Sequence, residues 1–587
     1  MQPADHGPRM TLTLAAAAFA LLAGPEAIAG PRCVAPPFRP TEEVTLRGHA
    51  PVRNPFPAEP FGPAARSVPA TTGSLHVLVI LAEFADLPPR IAPARFDDLL
   101  FGPGPSIRDY FDEVSGRRLD LSGDLVGWVT LPGDQLDYSD GVGGVGDYPR
   151  NGQRMAEDAV RAAVDGGIDL SDFDADDDGV VDALLVVHSG QGFEWAGATG
   201  PGALSTEPDA NSINSHKWTL VEQEFGGATK VVDYFTCPEL QLVKPRFGLT
   251  WADSIATIGV YCHEFGHVLG LPDFYDVQTF ENHVGVWEIM DYGTWNQLRT
   301  DPAYDAPGAI PSHFSAWSKM FLGWTSPTSV APPTGESIES SVSLFSASTG
   351  SAPLQLLGNP FGVDWAPGSP GTGEFFLAEV RTREGYDAGL PSEGLLLYHI
   401  DEGRSSNSAL TNADDGRILR LMPQDGQTTF DPGQSVGDPW PGSQTAFGPA
   451  SSPSSDLYDN GPSGVAITGI QVLAGSAVSF AASVTNLRAE LGIPFARPNP
   501  WSPAREAQTQ IVITLDPSPP ADATVSIWNV RGRHVRTLDT PDEFSTPERV
   551  ARWDGRDERG NPVPAGVYVF RTRSASGSGA GKVLLLR

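Results

Sequence analysis

One segment of this chain of 587 residues combines helical spacing with a metal-binding pattern. Apolar residues recur at helical intervals from Ser254 to Leu271, which predicts a helix over this range. His263 and His267 lie four residues apart in it, so both imidazoles project from one face and can meet the same metal ion. Glu264 stands beside them, where its carboxylate can act on a water molecule. The segment therefore requires a fold that holds a helix against a metal site.

The third ligand follows from the residues after this helix. Zinc sites of this kind use three protein ligands and keep the fourth position for water. The pattern continues through Gly270 to Asp273 as HExxHxxGxxD, and a glycine can turn the chain left-handed at a helix end, which returns Asp273 to the histidines. Glu288 is the rival ligand, because other HExxH enzymes recruit a glutamate from a later helix. We predict zinc bound by both histidines and Asp273, with Glu264 moving the proton of the activated water to the leaving amine.

An acidic loop precedes this segment in the chain. Its members are Asp174, Asp176, Asp178 and Asp182 at relative positions 1, 3, 5 and 9, Gly179 at 6 and Val180 at 7. This spacing wraps oxygen ligands around a hard cation, because the glycine permits a sharp turn and Val180 offers its carbonyl. Without a cation the carboxylates would repel one another. The EF-hand glutamate is absent at position 12, where Leu185 stands. We predict structural calcium here, bound by Asp174, Asp176, Asp178, Val180 and Asp182.

The extended zinc pattern resembles that of the metzincin peptidases, with aspartate in place of their usual third histidine. Downstream, residues 286–293 read Val-Trp-Glu-Ile-Met-Asp-Tyr-Gly and resemble a Met-turn. The resemblance implies that Met290 lies beneath the metal as a soft apolar floor. It also implies that Tyr292 approaches the metal or steadies the tetrahedral intermediate.

The sequence also resembles the M6 peptidases, the immune inhibitor A-like secreted metalloproteases. The matching segments are residues 106–116, the acidic loop, 263–276, 289–293 and 315–324. The likeness extends from about Leu75 to about Val484 and implies zinc-dependent endopeptidase activity on extracellular proteins, with bound calcium. Two other classes stay open: a non-catalytic adhesin or binding protein with a degenerate peptidase domain, and a metallo-amidase acting on cell-wall material. The intact HExxH motif speaks against the first.

Composition bounds the partners and the architecture. There are 39 basic and 72 acidic residues, a net charge of −33, which argues against nucleic acid and against anionic lipid as partners. We predict protein or peptide substrates instead. The expected fold is multidomain, an α/β (α+β) metzincin-like zinc peptidase domain followed by β-sandwich domains. The predicted order is a signal peptide at 1–29, a proline-rich leader at 30–73, the M6 catalytic domain at 74–325, a β-rich domain at 326–485 and an Ig-like domain at 490–587.

Both ends of the chain suggest export. Residues 11–24 form a short apolar run before Ala27-Ile28-Ala29, the order of a signal peptide, and no later run is long enough to span a membrane. We therefore expect a secreted, extracellular protein. Residues 490–587 resemble the FlgD-type Ig-like module and the C-terminal sorting domains of type IX secretion. This unit, with its local excess of arginine, is predicted to serve either as a spacer or in recognition by secretion machinery and attachment to the cell surface.

Three cysteines and one histidine complete the candidates. Pro31-Arg32-Cys33 resembles the cysteine-switch leader of matrixins, so a Cys33 thiolate is one candidate for holding the zymogen silent, and an unused thiol is the alternative. Cys237 and Cys262 either form a disulfide or pack separately in the core. In the β-rich part, alternation places His399 and Asp401 on one strand face, and we expect a structural hydrogen bond between them.

Overall fold

A computed structural model describes most of the chain between residues 69 and 586. The described ranges are 69–195, 211–243, 252–277, 281–298, 300–301, 304–333, 336–357, 363–366, 371, 373–404, 406–407, 417–427, 435–458, 461–486, 495–497, 499, 501–503, 509–514, 524–529, 533–539, 548–574 and 577–586. The predicted signal peptide, most of the predicted leader and Cys33 lie outside them. In these ranges no helix has both the length and the apolar character needed to cross a bilayer.

Helices and strands alternate in the first half of the described chain, and strands dominate the second half. The α-helices found in the described ranges are α1 (Pro93–Phe101), α2 (Ile107–Val114), α3 (Gln135–Ser139), α4 (Gly152–Asp165), α5 (Ile258–Val268) and α6 (Ala316–Phe321). The strands are β1 (Gly73–Glu83), β2 (Leu119–Thr130), β3 (Leu184–Gln191), β4 (His216–Thr219), β5 (Asp233–Val243), β6 (Ala252–Ile255), β7 (Thr328–Val330), β8 (Ser337–Leu344), β9 (Leu354–Leu356), β10 (Glu374–Arg381), β11 (Gly394–Asp401), β12 (Leu419–Leu421), β13 (Val465–Val472), β14 (Val478–Thr485), β15 (Phe495–Arg497), β16 (Thr509–Thr514), β17 (Thr524–Asn529), β18 (His534–Asp539), β19 (Glu548–Trp553), β20 (Gly566–Ser574) and β21 (Gly577–Leu585).

The first sheet is mainly parallel. Its order is β2-β1-β3-β5-β4, with β6 paired to β5. Of the described strands of this sheet, only β4 and β6 run antiparallel to the neighbouring strand β5. Alternate residues of β1 face two apolar clusters: Leu75, Val77, Val79 and Leu81 pack with α1, α2 and α5, and Leu78, Ile80 and Ala82 pack with α4. Burial on both faces explains why this strand is a continuous apolar run.

The helices that flank this sheet follow the sequence pattern. Helix α2 begins after Ser106, whose hydroxyl accepts a hydrogen bond from the backbone N–H of Asp109, so the predicted N-cap is confirmed. The predicted helix at residues 152–164 is α4, and its buried face includes Met155, Ala159 and Val160.

Helix α5 carries the two histidines, and its predicted start at Ser254 is wrong. Residues 252–255 form strand β6, in which Ile255 pairs with Leu240 of β5. The helix begins after Thr257, whose backbone N–H donates to Gln241 Oε1 over 2.9 Å. An apolar residue at position 255 fits a helix or a strand, and pairing with β5 makes Ile255 part of the strand.

Strands β7–β14 form two further sheets. Their orders are β12-β11-β10-β9-β7 and β13-β14-β8. One face of the first, with Phe375, Leu377 and Tyr398, belongs to the same apolar cluster as α5, and the other face packs on the second sheet. A continuous core therefore crosses residue 325, and the domain boundary placed there stays a prediction.

A buried charged network lies at this junction. Arg381 is fully buried, and its Nε donates to Asp387 Oδ2 over 2.6 Å. Its Nη1 donates to the backbone carbonyl of Trp287 over 3.1 Å. Arg381 therefore ties strand β10 to the turn that precedes Met290.

The C-terminal strands build a separate unit. The sheets β15-β16-β19 and β18-β17-β20-β21 enclose their own apolar cluster, which includes the fully buried Trp501 and Trp553. Of the strand-turn-strand predicted at residues 525–538, the two strands are present as β17 and β18, which pair antiparallel, and residues 530–532 lie outside the described ranges.

Candidate metal centre

Helix α5 brings the two predicted histidine ligands together with Asp273. His263 is fully buried and His267 is 7% exposed, and their rings lie edge to face with centroids 4.9 Å apart. Asp273 Oδ1 lies 3.2 Å from His263 Nε2 and 3.3 Å from His267 Nε2. These three residues form one of the two clusters of potential metal ligands found in the described part of the chain.

The helix C-terminus accounts for the approach of Asp273. Gly270 has φ +97°, a left-handed conformation that favours glycine. Its N–H donates to the His267 carbonyl over 3.1 Å, and the N–H of Leu271 donates to the Gly266 carbonyl over 3.1 Å. This pattern reverses the chain after the last helical turn. The turn predicted at Gly270 is confirmed.

Backbone carbonyls orient both rings. His263 Nδ1 lies 2.8 Å from the carbonyl of Ile289, and His267 Nδ1 lies 2.8 Å from the carbonyl of Leu271. A carbonyl only accepts, so each Nδ1 carries a proton, and in the neutral form that binds a metal each ring presents the lone pair of Nε2 to Asp273.

Three electron-pair donors thus converge on one point, which fits a cation. His263 Nε2 and Asp273 Oδ1 are buried, and neither atom forms a hydrogen bond within the described part of the chain. Two ligands held at about 2.1 Å by a tetrahedral zinc ion lie about 3.4 Å apart. The 3.2 and 3.3 Å separations to Asp273 Oδ1 match that spacing. The donor set of two imidazoles and one carboxylate also suits zinc.

Charge and burial oppose each other in this cluster. Burial acts to lower the pKa of His267, but the Asp273 carboxylate outweighs it and raises that pKa to about 9. Burial acts to raise the pKa of Asp273, yet the two imidazoles hold it well below its usual value. Asp273 therefore stays ionised and supplies a negative charge for a cation.

Glu264 follows His263 in the helix and is fully buried. Neither of its carboxylate oxygens has a hydrogen-bond partner among the residues that the structure describes, and burial raises its pKa well above the ordinary value. A buried carboxylate with both oxygens available is suited to accept a proton.

Met290 packs directly beneath the helix. It is fully buried, and a Cβ built on Gly266 would collide with its Sδ. The carbonyl of Met290 accepts a hydrogen bond of 2.8 Å from the backbone N–H of Phe274, the residue after Asp273. The methionine therefore contacts the helix between the two histidines and its backbone holds the segment that carries Asp273.

The other residues predicted around this centre have different surroundings. Glu288 lies outside the cluster, and both of its oxygens are occupied by Met290 N, Ser315 N and Ser318 Oγ. Tyr292 opens the short turn Tyr292–Trp295 and packs half-buried on the apolar core. Its approach to a metal stays a prediction.

The acidic loop brings three of its carboxylates together. Asp174, Asp176 and Asp178 form the second cluster of potential metal ligands in the described ranges. Gly179 has φ +85°, so the turn that the glycine permits is present. Burial, followed by the charges of the three clustered aspartates, raises the pKa of Asp182, which places that carboxyl within electrostatic reach of them. The backbone N–H of Val180 donates to Asp178 Oδ1 over 2.9 Å.

Two other expectations from the sequence have clear outcomes. Cys237 and Cys262 are both buried and are not joined by a disulfide, so they pack separately in the core. The hydrogen bond expected between His399 and Asp401 is wrong. His399 Nε2 lies 3.0 Å from Glu374 Oε1, on the neighbouring strand β10, and Asp401 accepts from Arg404 Nε over 3.1 Å.

Asp291 was missed at the sequence level. It is buried, and Oδ2 accepts hydrogen bonds of 2.8–2.9 Å from the backbone N–H groups of His283, Val284 and Gly285. Oδ1 accepts from Tyr292 N over 2.8 Å. It therefore fixes the turn that supplies the Ile289 carbonyl to His263. Its adjacency to Met290 was the available signal.

Comparisons with known proteins identify two families whose domains match parts of this chain. The family described as immune inhibitor A peptidase M6, catalytic domain, matches residues 71–325, and the FlgD Ig-like domain matches residues 501–578. Immune inhibitor A of Bacillus thuringiensis subsp. alesti is 30% identical over 289 residues, 42% of this chain and 39% of that protein. Pre-pro-metalloprotease PrtV of Vibrio cholerae is 30% identical over 299 residues, 42% of this chain and 29% of that protein. The chain thus spans well under half the length of these relatives.

Two solved structures show only weak similarity to this chain. PorZ of Porphyromonas gingivalis, described as a surface component of the type-IX secretion system, covers 21% of this chain and 15% of its own at 21% identity, with a TM-score of 0.14. Dimeric latent PorU of the same organism covers 34% and 18% at 16% identity, with a TM-score of 0.16.

The family match includes the helix of His263 and His267, Asp273 and the Met290 turn, and a metallopeptidase family implies a catalytic metal. Residues 71–325 are thus a peptidase M6 catalytic domain of the immune inhibitor A type, and residues 501–578 are a FlgD Ig-like domain.

Proposed function

We propose that this protein is a secreted zinc-dependent endopeptidase with a metzincin-like centre, acting on extracellular proteins. The observation that supports this most strongly is the convergence of His263 Nε2, His267 Nε2 and Asp273 Oδ1 with separations of 3.2–3.3 Å from the carboxylate oxygen. The match of residues 71–325 to a metallopeptidase family supports a catalytic metal and a peptide substrate.

The mechanism divides the work between the metal and Glu264. His263, His267 and Asp273 would hold zinc, which would supply Lewis-acid chemistry by lowering the pKa of water and polarising the scissile carbonyl. Glu264 takes the proton of the attacking water on a carboxylate oxygen and passes it to the leaving-amine nitrogen. Its burial without a competing hydrogen bond keeps both oxygens free for this transfer. We assign Tyr292 the hydrogen bond to the oxygen that gains negative charge.

We also propose that the acidic loop binds structural calcium. The clustered carboxylates of Asp174, Asp176 and Asp178, the left-handed Gly179 and the nearby Asp182 support an oxygen cage for a hard cation. We further propose that the predicted signal peptide directs export of the protein. The Ig-like unit would then be recognised by secretion machinery or attach the protein to the cell surface.

The test compares Glu264→Gln with Glu402→Gln in a casein-hydrolysis assay on the purified mature protein. Glu402 is also fully buried, but it accepts from Trp317 Nε1 and Asp364 N rather than facing the metal cluster. Loss of Glu264 as the base lowers kcat by about 10²–10⁴-fold, and Glu402→Gln retains wild-type kcat. A zinc chelator abolishes activity and added zinc restores it.

Full activity of Glu264→Gln would contradict the mechanism. Tight binding of a protein partner without any cleavage would favour the adhesin class. Cleavage of cell-wall peptides without casein hydrolysis would favour the amidase class.

A further inference from the structure

Glu288, the rival zinc ligand, has a different set of contacts. Its side chain is fully buried, and Oε1 accepts a hydrogen bond of 3.1 Å from the backbone N–H of Met290. Oε2 accepts from the backbone N–H of Ser315 over 2.6 Å and from Ser318 Oγ over 3.0 Å. Both oxygens are therefore used to join the methionine turn to the N-terminal end of helix α6.

The backbone of the same turn contacts the zinc helix. The carbonyl of Glu288 accepts from Asp291 N over 3.1 Å and from Gly293 N over 3.0 Å, which closes the turn. Within the turn, the Ile289 carbonyl lies 2.8 Å from His263 Nδ1. The position of this carbonyl sets the direction of His263 Nε2, because the ring pivots on the hydrogen bond at Nδ1.

Both carboxylate oxygens of Glu288 have to accept hydrogen bonds to hold the methionine turn against helix α6. Met290 and Ser315 each present a backbone N–H, so two acceptor oxygens are needed on opposite branches of the side chain. Glutamine has one acceptor and one donor group. In either amide orientation, its NH₂ group would face one of the two backbone donors and leave that N–H unpaired.

We propose that Glu288 is a positioning residue for zinc: its carboxylate fixes the Ile289 carbonyl and, through it, the lone pair of His263 Nε2. This inference rests on the proposed zinc site and adds a determinant of its affinity. Glu288 acts without touching the metal.

The experiment measures zinc affinity of the full-length protein by competition with a chromophoric chelator. Glu288→Gln is compared with Glu402→Gln, the same chemical change at another fully buried glutamate that bonds to helix α6 through Trp317 Nε1. Loss of such an outer partner weakens zinc binding by about 10–100-fold, and Glu402→Gln binds zinc as the wild type does. Equal zinc affinity in Glu288→Gln and wild type, or an equal loss in both variants, would overturn the proposal.

A second measurement separates positioning from general stability. The rise in Tm on adding zinc to chelator-treated protein shrinks in Glu288→Gln and is unchanged in Glu402→Gln. If Glu288 only stabilised the fold, Glu288→Gln would lower the Tm of the zinc-free and the zinc-bound protein equally. The rise in Tm on adding zinc would then equal that of the wild type, and this result would refute the positioning role.

Two further variants keep the outcome readable. If Glu288→Gln does not fold, Ser318→Ala removes one of the three contacts and weakens zinc binding by about 2–10-fold; unchanged affinity would refute the inference. His263→Ala tests the proposed function itself. If it binds zinc as tightly as the wild type, the zinc assignment fails, whereas loss of binding there with normal binding in Glu288→Gln refutes the positioning role alone.

Discussion

Replacing Arg381 with methionine removes a fully buried cation from between two carboxylates. Arg381 donates to both oxygens of Asp387, and its Nη1 lies 3.4 Å from Glu379 Oε1. Methionine resembles only the unbranched aliphatic part of arginine and leaves the carboxylates buried without the cation. Removing one member of a buried ion pair costs about 3–5 kcal/mol. We therefore expect the free energy of unfolding to fall by that amount near pH 8.

The pH dependence of this deficit has a defined sign. Burial acts to raise the pKa of Asp387, but Arg381 outweighs it and holds the pKa well below the ordinary value. A carboxyl with a lowered folded pKa stabilises the protein above its unfolded pKa of about 3.9, and the stabilisation is lost as the pH falls through the folded pKa. Without Arg381, burial raises the pKa of Asp387 instead, so the folded variant takes up a proton as the pH falls from 8 to 5. The deficit therefore shrinks over that window.

Urea unfolding of the full chain at pH 8 and pH 5, followed by tryptophan fluorescence, measures this change. Arg108→Met serves as the control, because Arg108 pairs with Asp120 over 3.1 Å and both side chains are at least half exposed. Such an exposed pair contributes no more than about 1 kcal/mol. A loss of unfolding free energy for Arg381→Met as small as the control's, or one that grows towards pH 5, would contradict a stabilising buried ion pair between Arg381 and Asp387.

Three further predictions address the two metal sites and a buried carboxyl. Gly270→Ala strains a residue at φ +97° by about 1–3 kcal/mol and weakens zinc binding, measured by competition with a chelator. The control Gly323→Ala, at φ +72° with open space around it, leaves zinc affinity intact. Equal zinc affinities in the two variants would contradict the role of the Gly270 turn. Calcium-free buffer with EGTA lowers the Tm of the wild type, and Asp176→Asn removes that difference; a Tm insensitive to EGTA would refute calcium binding. Burial and the neighbouring Asp364 raise the pKa of Glu402 to about 9, so its contribution to stability is complete below about pH 4 and is lost as the pH rises towards 9. Glu402→Gln therefore flattens the slope of the free energy of unfolding against pH between pH 5 and pH 9. A slope equal to that of the wild type would contradict this pKa.

The ligand cluster is the part of this molecule that could be predicted most fully from sequence. His263 and His267 needed only the helical period, and Gly270 supplied a physical route for Asp273. These are local features, set within 11 residues of one another along the chain. Long-range contacts were less accessible. The hydrogen bond of His399 to Glu374 depends on the pairing of β10 with β11, which sequence alternation does not define.

The support around the cluster was hidden for the same reason. Glu288 could be seen as a carboxylate near a motif, but its partners Ser315 and Ser318 lie 27 and 30 residues away along the chain. The carbonyls of Ile289 and Leu271 that orient the histidines carry no side-chain signal at all. The start of α5 was misplaced because strand β6 owes its form to pairing with β5 rather than to its own pattern.

Anomalous diffraction at the zinc absorption edge, on crystals of the active protein, shows whether His263, His267 and Asp273 bind zinc. We predict a zinc peak about 2.0–2.2 Å from His263 Nε2, His267 Nε2 and a carboxylate oxygen of Asp273. We also predict that this peak is lost in His267→Ala crystals. A peak coordinated by Glu288, or no peak at these histidines in protein that hydrolyses casein, would contradict zinc binding by these three residues.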